Sequence, residues 1–360
     1  MDTMNDSINN THSHANDSVS DIDFVIIWVD GSDPKWQTEK MRYSGAEASK
    51  SDVDEATHRY RDWNNLQYLF RGIERFTPWV RKVHFVTSGH VPSWLNLDSE
   101  KLHFVKHEDY IPAEYLPTFS ANPIELNLHR IEGLAEKFVF FNDDTFITKP
   151  MKETDFFVND LPCDKAILNR IVSTDHRDIF PHIILNDIGA LNKNFVKNDA
   201  IRKYRSKWFS PRYGVVPLIR SLLLMPYSNF SGLSWAHLPS SFLKSTFLEV
   251  WKKEPELLRN TSLHKFRHIQ DVNQYLIRGW QVVSGSFSPK NTEKGSKAFF
   301  NPSKQKEELY ASIRKQKYSM ICINDAEACD NFEQVRDGVI KSFDAVLPDK
   351  STFENKPYEV

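Results

Sequence analysis

The sequence predicts an α/β fold, a Rossmann-like mixed or parallel sheet with flanking helices and a mostly helical insertion. Three observations carry this. Short apolar runs such as Phe24–Val29 and Phe138–Phe141 have the length and the β-branched and aromatic content of strands buried on both faces. Segments of helical periodicity separate them. Each apolar run also stops abruptly at acid or amide: Asp30 to Asp33 after the first, Asn142-Asp143-Asp144 after the second, and Asn324-Asp325 after Ser319–Ile323. Ligands of open α/β sheets bind at such carboxyl ends of strands.

Taken in order, residues 1–20 are polar and read as a flexible tail without a signal-peptide core. Asp23–Val29 is a strand, Gly31 permits a positive φ and Pro34 stops the strand. Residues 37–57 read as a mobile loop or lid. From Arg61, Trp63, Leu66, Leu69 or Phe70, Ile73 and Phe76 recur at helical spacing until Pro78. Strands follow at Lys82–Thr87 and Leu102–Val105. Asn122 as N-cap, Pro123 and Glu125 predict a helix running to Lys137, on which Glu125 and His129, four apart and followed by Arg130, either form an ordinary ion pair on an exposed face or point into a cleft. Asp143 and Asp144 fall in a tight turn before Thr145–Thr148. A helix over Ser262–Trp280 carries His264, Arg267, His268 and Asp271. Arg267 and Asp271 at i and i+4 either pair with each other or leave Arg267, with its planar fork of donors, to hold phosphate oxygens. The expected catalytic domain comprises 21–160 and 230–350, with a helical or loop insertion at 161–229 facing acceptor or membrane and a C-terminal tail at 351–360.

Composition narrows the function. With 46 basic and 48 acidic residues among 360, nucleic acid is not an expected partner. A hydrophobic share of 40% is ample for a core, and three cysteines without a CxxC pair suggest a reducing compartment. No apolar run is long enough to span a bilayer. The expected location is the cytoplasm, with peripheral attachment to the inner face of the cell membrane as the mode open to it. Lys197, Arg202, Lys203, Arg205 and Lys207, interleaved with Tyr204, Trp208 and Phe209, suit an anionic acceptor, an anionic membrane or plain solvent.

Four ordered blocks resemble the Stealth family, sugar-1-phosphate transferases related to the catalytic subunit of the lysosomal-enzyme N-acetylglucosamine-1-phosphotransferase. They are IDFVIIWVDGSDP (Ile22 to Pro34); Arg59 to Pro150, with LPTFSANPIELNLHRIEGL and KFVFFNDD; WAHLP with HKFRHIQD; and ICIND. The resemblance implies a nucleotide-diphospho-sugar transferase-like fold. The implied reaction moves hexose-1-phosphate from a UDP-sugar to a hydroxyl of a glycan or lipid-linked glycan, releasing UMP. Carried over by position, it implies Asp23, Asp143, Asp144, His237, Arg267, Asn324 and Asp325 as functional. Phosphoryl transfer then calls for Mg²⁺ or Mn²⁺ on Asp144 and Asp325, Arg267 on the phosphoryl oxygens, and His237 as base with Asp143 or Asp144 as competitor. Trp28, Asp30, Gly31 and Asn324 join Asp23 on the donor side; His129, Arg130, His268 and Asp271 stand on the acceptor side or behind the reacting groups. Two alternatives are a metal-dependent glycosyltransferase releasing UDP, although Asn142-Asp143-Asp144 is not DxD, and a non-catalytic carbohydrate-binding protein.

Overall fold

The computed structural model describes residues 21–47, 53–54, 63–173, 175, 177–324 and 331–355. A five-stranded sheet runs in the order Leu102–Lys106, Val83–Thr87, Ile22–Ile27, Lys137–Asn142, Ser240–Leu243. The first four are parallel and the last is antiparallel. From Ile22–Ile27 the chain first builds the sheet to one side, then returns to add Lys137–Asn142 on the other. The switch point therefore lies between those two strands, where such sheets bind ligands. Ile27 pairs with Asn142, so Trp28–Asp30 and Asp143–Asp144 leave the sheet side by side.

Strand alternation buries both faces. Phe24, Ile26, Phe85, Val139 and Phe141 face the helix Leu66–Phe76 and the C-terminal helix Phe332–Asp344. Val25, Val86, Phe138 and Phe140 face the layer containing Lys244–Lys253, Pro255–Leu263 and Gln274–Val283. The helices Phe180–Asn194 and Val215–Leu224 lie within residues 161–229, and Ile188 and Leu191 of the first share this second core.

A second sheet, Lys297–Phe300, Met320–Ile323 and Thr145–Ile147, abuts the first. Thr145–Ile147 pairs antiparallel with Met320–Ile323, so the chain changes sheets at Asp143-Asp144. The helix Leu66–Phe76 lies against this strand at Gly72, where a Cβ would stand 2.5 Å from the Ile147 carbonyl oxygen. Gly72→Ala should therefore destabilise by about 1–3 kcal/mol, read as a fall in the denaturant midpoint.

Four expectations need correction. Residues 34–47 are a helix, Pro34–Glu47, rather than a loop: Asp33 accepts the Trp36 N–H at 2.7 Å as its cap, and Trp36 is buried against Phe119. The remainder of the 37–57 segment, apart from Val53–Asp54, lies outside the described residues, as does the 1–20 tail. The helix expected from Asn122 to Lys137 is only Ala121–Leu126 followed by the 3-10 turn Leu128–Arg130. Ser120, two residues earlier than expected, supplies its cap by accepting the Asn122 N–H at 3.3 Å. The Ser262–Trp280 helix is two helices, Pro255–Leu263 and Gln274–Val283, broken by a loop folded around Asp271. Finally, Ser351–Asn355 is not a loose tail, because Phe353 is buried against Phe70 and Glu354 takes the Arg71 fork at 2.7 and 2.8 Å.

Candidate active site

The turn after Lys137–Asn142 is fixed from both sides. Thr145 Oγ1 donates to the Asn142 carbonyl at 2.8 Å, and the Ile323 N–H donates to the Asp144 carbonyl at 2.8 Å. Cys322, paired with Thr145 across the strands, donates its thiol to Asp144 Oδ2 at 3.3 Å. His237 Nε2 approaches the same oxygen at 3.2 Å. Asp144 Oδ1 is buried and has no hydrogen-bond partner among the described residues. Burying a polar oxygen unpartnered is costly, so this atom marks a place for a ligand.

The surroundings of Asp144 fit a divalent cation. Ligating atoms of Asp144, His237 and Cys322 lie within 4.8 Å of one another. Burial, with Asp144 beside it, pushes the Cys322 thiol well above its ordinary range and keeps it a protonated donor. The oxygen-bearing side chains of Asp143, Asp144 and Asn324 line the same cleft. Oxygen donors suit hard cations such as Mg²⁺ or Mn²⁺.

Glu125 and Arg267 complete the lining. Glu125 points from the short Ala121–Leu126 helix, is 6% exposed, and accepts the Gln274 N–H at 3.3 Å. Burial pushes its carboxyl up to about 7, although the Gln274 N–H and the charges of Arg267 and His237 oppose the rise. Arg267 lies in the two-residue strand Arg267–His268, which pairs antiparallel with Val53–Asp54. The loop is held by Asp271, whose carboxylate accepts the His268 N–H at 2.9 Å, the Asn122 amide at 2.8 Å and the His264 ring at 2.6 Å. Burial lowers the His237 imidazole, but Asp144, then Glu125 and Asp143, more than compensate and hold it above its ordinary range.

Trp28, Asp143, Asp144, His237, Arg267 and Asn324 thus line one cleft of about 800 Å³ at the switch point. The other predicted residues, among those described, do not line it. Asp23 sits at the opposite end of its strand, about 13 Å from Ile27 at 3.3 Å per residue. It is fully buried and held by Arg81, His84 and the Ala135 N–H. Burial alone would raise its carboxyl, but those partners bring it below the ordinary value. Asp30 accepts from the Ser32 N–H and hydroxyl at 2.9 and 2.6 Å, an Asx turn. Gly31 does not adopt positive φ. His129 is buried against Phe247 and Trp251, and burial lowers it to about 3; Arg130 stacks over Trp251 with its centre 5.1 Å from the ring. His268 and Asp271 shape the Arg267 loop rather than the cleft wall. Asp325 lies outside the described residues.

Sequence reasoning left out Glu125 and Cys322 as site residues. Glu125 carried a usable signal, a glutamate on a short helix before the central strand, but its helical spacing to His129 favoured a surface pair. Cys322 carried none, since its meeting with Asp144 depends on strand pairing across 178 residues.

Stealth protein conserved region 2 matches residues 59–163, and conserved region 1 matches residues 20–48. Capsular polysaccharide phosphotransferase WcwK of Streptococcus pneumoniae is 40% identical over 339 residues, 94% of this chain and 99% of that protein. Receptor polysaccharide phosphotransferase WefC of Streptococcus oralis is 40% identical over 334 residues, 92% of this chain and 99% of that protein. Exopolysaccharide phosphotransferase cps2G of Lactiplantibacillus plantarum is 35% identical over 336 residues, 93% and 96% of the two chains. The solved galactosyltransferase LgtC aligns loosely, with a TM-score of 0.37 and 9% identity over 89% of this chain and 95% of that chain. With near-full-length relatives at this identity and both conserved regions in place, the chain belongs to the Stealth family.

Proposed function

We propose that the chain transfers a hexose-1-phosphate from a UDP-sugar to a hydroxyl of a growing capsular or exopolysaccharide, forming a phosphodiester and releasing UMP. The observation that carries this is the unpartnered buried oxygen of Asp144 in a cleft that also holds Arg267 and a near-neutral Glu125. Phosphoryl transfer needs charge neutralisation and a positioned base more than covalent chemistry, and the lining supplies both.

Asp144 would hold Mg²⁺ or Mn²⁺, with Asp143 and Asn324 near it. When bound, such an ion neutralises charge on the donor phosphates. Arg267 offers its fork to the transferring phosphoryl oxygens. His237, whose imidazole Asp144 holds above its ordinary range, adds positive charge on the same side when protonated. Glu125 takes the acceptor proton: a carboxyl near 7 is ionised in a useful fraction at neutral pH and still basic enough to accept. His237 has the weaker claim to that role because its proton is already shared with Asp144. Trp28 and Trp235, the latter stacked on Tyr275 at 5.1 Å, offer aromatic faces to the nucleotide or sugar.

The test is product identity. Purified protein incubated with a panel of UDP-sugars, a glycan acceptor and Mg²⁺ or Mn²⁺ should yield UMP by mass, and none with excess chelator. UDP as product would assign glycosyl transfer instead, and no nucleotide release would leave a binding protein.

A further inference from the structure

The helix Val215–Leu224 has its polarity inverted. Its buried residue is Ser221, whose Oγ accepts the Leu168 N–H at 3.0 Å. Outward go Val215 and Leu223, each 72% exposed, with Val216, Ile219 and Leu222. Exposed Val196 and Tyr227 extend the apolar surface near its C-terminal end. There Lys197 Nζ donates to the Leu224 and Met225 carbonyls at 3.2 and 3.0 Å, so the helix is anchored rather than frayed. Exposed apolar area of this kind on an ordered element signals a binding surface.

Charge selects the occupant. Arg220 flanks the apolar face, Arg212 precedes the helix, and Arg202, Lys203 and Arg205 lie on the adjoining exposed segments. Asp199, 3.5 Å from Arg202, is the last carboxylate before Glu249. A second copy seated face to face would bring these cations together with Asp199 alone to offset them in the stretch from 199 to 248. A glycan would find few hydrogen-bonding groups on valine, leucine and isoleucine. An anionic bilayer satisfies both features, taking the apolar side chains into its interface and the cations among its headgroups. At ten residues the helix is about 15 Å long, half of what spanning needs, so it lies in the interface plane.

We propose that Val215–Leu224 seats the protein on an anionic membrane surface. Leu168, tied to Ser221, leads directly into Asn169–Val172 of the cleft wall. The seat and the cleft therefore share one segment, which suits an acceptor glycan carried on a lipid. That acceptor class rests on the transfer reading above, whereas membrane seating does not.

The full chain should float with vesicles of equal parts phosphatidylglycerol and phosphatidylcholine and not with phosphatidylcholine alone. Ile219→Asp/Leu223→Asp should lower partitioning at least about tenfold, and Arg220→Glu by roughly tenfold at low salt. Unchanged circular dichroism and an unchanged denaturant midpoint would show that both variants fold. Equal flotation of the double aspartate variant, or no flotation of the wild type, overturns the proposal. So does a dimer in sedimentation that Ile219→Asp/Leu223→Asp dissolves without any vesicle binding, which would give the face to a second copy. Flotation is blind to product identity, so loss of UMP formation with retained flotation would fault the reaction and not the seat.

Discussion

Asp144→Asn is expected to lower kcat at least about 100-fold while leaving circular dichroism and the denaturant midpoint nearly unchanged. Asparagine has the shape of aspartate and keeps an oxygen to accept the Cys322 thiol, so the turn between the two sheets should survive. What goes is the negative charge. A divalent cation would lose its principal ligand, and His237 would lose the carboxylate that holds its proton. Titration of the His237 ring by NMR should accordingly move to lower pH in the variant. Wild-type activity should disappear in excess chelator and return with Mg²⁺ or Mn²⁺. Full turnover in chelator, or in Asp144→Asn, would remove the cation from the mechanism.

Glu125→Gln should cost roughly 100- to 10,000-fold in kcat, the usual scale for a positioned base, and should abolish the acidic limb of the pH–rate profile near pH 7. Stability should move the other way. The folded carboxyl binds its proton more tightly than the unfolded one, so its contribution is complete below about 4.5 and is lost as pH rises to about 7. At 1.36 kcal/mol per pKa unit, wild type should forfeit up to about 3 kcal/mol across that window. Glutamine keeps the acceptor for the Gln274 N–H and ionises at no pH. The variant should therefore be the more stable protein at pH 8 and the nearly inactive one. His237→Gln should also lose turnover yet keep the acidic limb. A limb that survives Glu125→Gln and vanishes with His237→Gln would return the base to His237.

Much of this was legible in the sequence because it is local. Two-sided burial of Phe24–Ile26 and Phe138–Phe141 follows from apolar run length, and the tight turn at Asp143-Asp144 from acid standing where the run stops. The helix Leu66–Phe76 follows from spacing, with Leu66, Leu69, Phe70, Ile73 and Phe76 of the expected face buried, although it begins after Trp63. Where spacing misled, a side chain had competed with the helix. Asp271, by accepting from His268, His264 and Asn122, makes the Ser262–Trp280 region a loop, which periodicity could not register. Glu125 looked like half of a surface pair until the short helix turned it inward against Gln274.

The sequence by itself determined the α/β class and the strand that carries the acid turn, and its family resemblance offered a set of His, Arg and Asp residues as candidates for the site. Tertiary structure alone decided which of them meet. Asp23 and Asp30 lie on one strand and its exit, yet Asp23 is consumed by Arg81 and His84 at the far end and Asp30 by the Ser32 turn. Asp144, His237 and Cys322, distant in sequence, share one carboxylate oxygen because Thr145–Ile147 crosses to a second sheet. The physical reason is range: backbone preference and hydrophobic periodicity act over a few residues, whereas strand order and register are fixed by how whole faces bury, and only register sets which polar side chains come within 4 Å.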